Sequence, residues 1–154
     1  MTTLIDICLN AGGILTGSRA FDVATPESDW DIVILESQIP RELYSYDYDV
    51  CASWEQSPEE PYNADGVDSL YEVYNGSVWG PIIKIMNFYI YDENDEEDPV
   101  IINLFIYPYN EAKTVAKFHQ VNATMLFTLT KEQRQHRPTR VKKFIEILKQ
   151  LHIT

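Results

Sequence analysis

Two runs restrict this chain more than any other feature: PIIKIMNFYIY at 81–91 and PVIINLFIY at 99–107. Both are apolar and rich in Ile, Phe and Tyr, the residues that favour strands. Only the polar stretch DENDEED separates them. This pattern predicts an antiparallel hairpin over about 81–107. DIVIL at 31–35 is a third β-rich run, read as a buried strand, and GILTG at 13–17 is a short strand closing on a glycine.

Helical spacing surrounds these strands. Leu4, Ile5, Cys8 and Leu9 predict a helix over 2–11, ended by Asn10-Ala-Gly-Gly. Residues 18–28 read as a turn or short helix followed by a loop at Thr25-Pro26. A helix is expected over 110–127, capped by Asn110, with Ala112, Val115, Ala116, Ala123 and Leu126 as its apolar stripe. A last helix over 139–151 starts near Pro138 and carries Val141, Phe144, Ile145, Leu148 and Leu151 on one face. Residues 36–80 give mixed signals: RELYSYDYDV as a strand, PEEPYNADG as a loop, DSLYEVY as a helical turn. The order predicts one α+β domain over 1–154, a mixed sheet covered by helices, with the hairpin and two C-terminal helices.

The 154 residues suit a single core, and their 45% hydrophobic and 23% charged content is ordinary for a globular chain. No apolar run is long enough to span a bilayer, and MTTLIDICLNAGG lacks the pattern of a secretory signal. Cys8 and Cys51 are isolated from metal-ligand spacing, which predicts free thiols and a cytoplasmic location. The net charge of −12 is uneven. Residues 1–110 hold 3 Lys+Arg against 21 Asp+Glu, and residues 111–154 hold 9 against 3. The acidity argues against broad nucleic-acid binding but leaves a local basic edge. That edge comprises Lys131, Arg134, His136, Arg137, Arg140, Lys142 and Lys143. It is read either as a partner for the acidic body of the chain or as a site for a triphosphate or nucleic-acid acceptor. DENDEED is read as a solvated hairpin tip, or as an acidic edge that mimics phosphates. His119 and His152 are read as packing or surface residues.

The chemistry concentrates in GSRAFDVATPESDWDIVIL at 17–35. In a strand, residues two apart share a face, so Asp29 and Asp31 point the same way. Two close carboxylates repel unless a cation sits between them, and oxygen ligands suit Mg²⁺. The plainer alternative is a turn aspartate followed by one at a strand end. Upstream, Gly17-Ser18 follows a strand. Glycine lets a backbone approach a phosphate, and free amides at a helix start favour an anion.

This stretch resembles the signature of the nucleotidyltransferase superfamily, which includes DNA polymerase β, CCA-adding enzymes and minimal antitoxin members. It is most similar to small phage-encoded members. INLFIYP at 102–108 and RVKKFIEIL at 140–148 are weaker matches to later family segments. The resemblance implies that Gly17 and Ser18 hold the phosphates of an NTP and that Asp29 and Asp31 bind Mg²⁺ or Mn²⁺. It adds Arg19, Asn103 and Arg140 as nucleotide-binding candidates. Arg19 has an alternative role as an ion-pair partner of Glu27, Asp29 or Asp31. The implied activity transfers a nucleoside monophosphate from NTP to a hydroxyl of a nucleic-acid or protein acceptor. The family's third carboxylate falls at Asn103, whose amide can ligate but is a poor base; it is alternatively a buried amide bonded to the Gly-Ser turn. That change opens a second expectation: an acidic phage-encoded protein that binds and inhibits a host nucleic-acid-processing or defence protein without catalysis. An antitoxin-like role toward a toxin partner is a third.

Overall fold

The structure is a computed structural model that describes residues 2–53, 84–92 and 95–153. It is an α+β fold built on a five-stranded mixed sheet. The strands are β1 (Ile14–Thr16), β2 (Trp30–Leu35), β3 (Asp47–Ser53), β4 (Lys84–Asp92) and β5 (Asp95–Tyr107), in the order β1-β2-β5-β4-β3. The β2–β5 pairing is parallel and the others are antiparallel. The expected hairpin is β4–β5, with Asp92 opposite Asp95. Its turn is narrower than the DENDEED stretch suggests, because Asp95–Asp98 already belong to β5. The expected loop at 58–66 and helical turn at 68–74 lie outside the described residues.

Alternation along the strands produces two buried layers. Ile32, Ile34, Leu104, Ile106, Met86 and Phe88 pack with Ile5 and Cys8 of α1 (Thr2–Asn10) and with Leu43. Val33, Leu35, Phe105, Tyr107 and Ile85 face the C-terminal helices. Both faces of β2 are therefore covered, which is why DIVIL reads as a continuous apolar run. Gly13 lets α1 turn tightly onto the sheet: a Cβ there would lie 2.8 Å from both the Cys8 carbonyl oxygen and Ile32 Cγ2. Burial pushes the Cys8 thiol up to about 11, helped by the Glu42 carboxylate, so this free cysteine stays protonated and unreactive.

Several sequence expectations shift. RELYSYDYDV divides: Arg41–Ser45 is a 3₁₀ turn and β3 begins at Asp47. The helix expected over 110–127 is a 3₁₀ turn at Tyr109–Glu111, then two helical segments separated at Lys117, Ala112–Ala116 and Phe118–Thr128. With the turn Gly17–Ala20 as α2, these segments are α3 and α4. Pro108, not Asn110, precedes the 3₁₀ turn. The buried positions are Thr114, Val115, Phe118, Val121 and Met125, while Ala112, Ala116, Ala123 and Leu126 are exposed. The stripe follows the bulkier residues, which gain more from leaving water. A further short helix, α5 (Lys131–Gln135), precedes α6 (Arg137–Ile153). Thr130 Oγ1 accepts from the Gln133 amide at 3.1 Å, and Gln133 Oε1 accepts from the Thr130 amide at 2.8 Å. This reciprocal cap starts α5.

Phe144 anchors α6. Its ring meets Phe21 edge-on at 6.0 Å and Phe118 at 5.7 Å. Because Phe21 directly follows α2, this packing carries the basic start of α6 toward the Gly17-Ser18 turn. Phe144→Ala is expected to cost about 3–4 kcal/mol, measured by chemical denaturation, without changing the strand signal in circular dichroism.

Candidate metal and nucleotide site

The parallel register sets the geometry of the site. Asp31 on β2 is the partner of Asn103 on β5, so their side chains share a face. Asp29, two residues earlier, follows a closed turn. The Ser28 amide donates to the Thr25 carbonyl at 3.0 Å, and the Thr25 amide donates to Ser28 Oγ at 2.9 Å. The Asn103 amide nitrogen then donates to both carboxylates, to Asp31 Oδ1 at 2.9 Å and to Asp29 Oδ2 at 3.2 Å. Asn103 thus bonds the two aspartates, not the Gly-Ser turn that the sequence suggested as its alternative partner. Asn103 meets the two aspartates across more than 70 positions of sequence.

Gly17 closes the other side. Its φ is +69°, and a Cβ built on it would overlap Asp31 Oδ2. Both facts require glycine: the left-handed backbone and the close approach of a carboxylate. Ser18 follows in the single turn of α2, where the Phe21 amide donates to the Gly17 carbonyl. Thr16, directly opposite Asp31 on β1, is buried, and its hydroxyl has no hydrogen-bond partner among the described residues.

Arg19 holds backbone carbonyls and an aromatic ring, not the carboxylates expected as its ion-pair partners. Its guanidinium donates to the Ser28 carbonyl at 2.7 Å and the Pro26 carbonyl at 3.3 Å, and it stacks 3.9 Å from the centre of the Trp30 ring. It clamps the turn that presents Asp29. Among the described residues no ion pair joins it to Glu27, Asp29 or Asp31. Arg140 and Arg137 provide the positive charge instead, both acting on Asp31. Arg140 Nη1 donates to the Arg134 carbonyl at 3.2 Å, and Arg134 in turn donates to the Phe21 carbonyl, tying α5 and α6 to α2.

The partly buried Asp31 carboxyl is pushed up to about 6, chiefly because burial removes it from water. The Asn103 hydrogen bond lowers it, Asp29 raises it, and Arg140 and Arg137 lower it. Asp29 and Asp31 are the hard oxygen groups here that could hold Mg²⁺ or Mn²⁺, while Asn103 presents its nitrogen to them. Among the described residues no group of three or more His, Cys, Asp or Glu residues surrounds a metal position, so the anionic part of the site is the Asp29–Asp31 pair. Asn103 adds no negative charge to the pair it faces.

One neighbour was missed in the sequence. Asn87 on β4 is the direct partner of Asn103, and Asp49 on β3 is the partner of Asn87. Thr16, Asp31, Asn103, Asn87 and Asp49 therefore make one polar row across all five strands. The signal was the single amide interrupting each of two paired apolar runs, IMNFY and IINLF.

No family model, curated protein or solved structure matches this chain. Among the described residues no helix is long and apolar enough to cross a membrane.

A carboxyl raised in the folded state stabilises the fold fully below its unfolded value near 4 and loses that contribution as pH rises through about 6. Asp31→Asn is therefore expected to stabilise the metal-free protein at pH 7.5, on the order of 1–2 kcal/mol after allowance for solvent screening. The gain should shrink toward zero near pH 4, as measured by urea denaturation across that range. Gly17→Ala is expected to cost about 2 kcal/mol or more, read in the same assay, because both the backbone and Asp31 must move.

Proposed function

We propose that this chain is an Mg²⁺-dependent nucleotidyltransferase-like protein that transfers a nucleoside monophosphate from NTP to a hydroxyl of a nucleic-acid or protein acceptor, releasing pyrophosphate. The observation that carries this reading is the convergence of Asp29 and Asp31 on Asn103 beside a glycine turn with room for nothing larger. Asp29 and Asp31 hold the cation. When bound, it supplies charge compensation for the triphosphate and the departing pyrophosphate. Gly17 and Ser18 present the α2 turn to the phosphates, and Arg140 with Arg137 adds positive charge from α6. Arg19 acts through the 25–28 turn, keeping Asp29 in position. Asn103 cannot accept a proton from the attacking hydroxyl, so its part is confined to ligation and positioning.

Titration calorimetry with each of the four NTPs in Mg²⁺ or Mn²⁺ tests this. Heat is expected for at least one, and Asp31→Asn should reduce transfer of labelled nucleotide about a hundredfold or more while the protein stays folded. Absence of heat with every NTP would overturn the reading.

The neutral Asn103 favours a second reading, in which the fold is kept without catalysis and the chain acts by binding and inhibiting a host protein in the cytoplasm. That reading expects the biological effect to survive in the Asp29→Ala/Asp31→Ala double variant. The transferase reading expects it to be lost.

A further inference from the structure

The carboxamide of Asn103 has two unlike faces, and the one turned to the aspartates is its nitrogen. Ionised carboxylates only accept hydrogen bonds, so two of them side by side call for a donor between them. The amide provides one N–H to each. That arrangement is matched to a site without a cation. A divalent ion drawn to the same two oxygens would meet the positive ends of those N–H dipoles. For Asn103 to act as a ligand it must present Oδ1, which requires the carboxamide to turn over.

A turned amide needs a new acceptor for its nitrogen, since an unpaired donor in a partly buried site is costly. Asn87 is in the right place. It lies directly opposite Asn103 in the antiparallel β4–β5 pair and on the same face. Directly opposite side chains in such a pair start about 5 Å apart, within reach of a hydrogen bond between two amides. Asn87 is half-buried, and its side chain makes no hydrogen bond among the described residues, so its amide oxygen is uncommitted within that set. The row that runs from Asp31 through Asn103 to Asn87 thus sets an uncommitted amide beside Asn103 on the side away from the aspartates.

We infer that the Asn103 carboxamide is a two-position switch: it bridges Asp29 and Asp31 through its nitrogen when no cation is bound, and turns over toward Asn87 to offer its oxygen when one is. This rests on the cation-binding reading above and makes Asn87 a positioning residue for that site. The switch holds the carboxylates together in the empty site and sets a cost on cation entry, because the amide bridge must break first. A carboxylate at 103 has no such bridge to break and adds charge, so it should bind the ion more tightly.

The test uses the full chain. The ¹⁵N side-chain amide resonance of Asn103 is followed by NMR as Mg²⁺ is added, and Mn²⁺ affinity is measured by electron paramagnetic resonance for wild type, Asn87→Leu and Asn103→Asp. The Asn103 amide protons are expected to be hydrogen-bonded and slow to exchange in the metal-free protein, and to shift to a second bound environment at saturating Mg²⁺. Asn87→Leu should leave the metal-free resonance in place and weaken Mn²⁺ binding about tenfold, the usual scale for residues that orient a ligand. Asn103→Asp should tighten it about tenfold. Asn87→Ala replaces the leucine variant if that one packs poorly. If Mg²⁺ saturates the protein without moving the Asn103 resonance, or if both Asn87 variants bind Mn²⁺ like wild type, the switch is overturned and the metal site stands. If neither wild type nor Asn103→Asp binds Mn²⁺, the metal site itself is overturned, and the switch with it.

Discussion

The parallel pairing of β2 with β5 is the constraint on which the site depends. It sets Asp31 against Asn103 across a sequence gap that no local element bridges. A shift of one residue in that register would turn Asn103 to the α1 face and bury Leu104 among the C-terminal helices. The register is protected by the apolar residues that follow, Ile32 to Leu35 on β2 and Leu104 to Tyr107 on β5, which are buried on both faces. Core packing thus holds the polar residues in place, and the two functions of β2 divide along its length.

The electrostatic asymmetry of the chain has a structural counterpart. A basic helix start is unfavourable by itself, since the macrodipole is already positive there. Aromatic packing of Phe144 on Phe21 and Phe118 holds that end beside the acidic pair, and Arg140 and Arg137 act on Asp31. Their charge only partly offsets the cost of burying Asp31, whose carboxyl remains raised. Burial thus outweighs the two guanidinium groups in setting the state of Asp31.

Much of this was legible in the sequence where the signal is local. DIVIL, the described parts of the two long β runs and the first helix fall in strands and a helix as expected, though β5 starts earlier at Asp95, because alternation and apolar spacing report burial directly. The paired aspartates and the Gly17-Ser18 turn were legible for the same reason. What failed was phase and continuity. The alanines of 112–123 suggested a stripe that Phe118, Val121 and Met125 occupy instead. The break at Lys117 carries no Gly or Pro, so nothing in composition marks it. The α5 cap was present as Thr130-Lys-Glu-Gln133 and went unread. Asn87 was beyond reach for a different reason: its meaning depends on which strand lies beside it, and pairing is a property of the sheet. The same holds for Arg19, whose partners are backbone carbonyls that look alike in any sequence.

The ends of the sheet carry a consequence for the behaviour of the chain among its neighbours. Among the described strands, β1 and β3 are outermost. β1 has only three residues, too few to template an added strand, and β3 exposes Asp47 and Asp49 in alternation with Tyr48 and Val50. An incoming strand would have to bring its own apolar face against a row of like charges in an already acidic molecule. Among the described residues, the acids that give the chain its negative balance thus also set like charges along its outer strand β3.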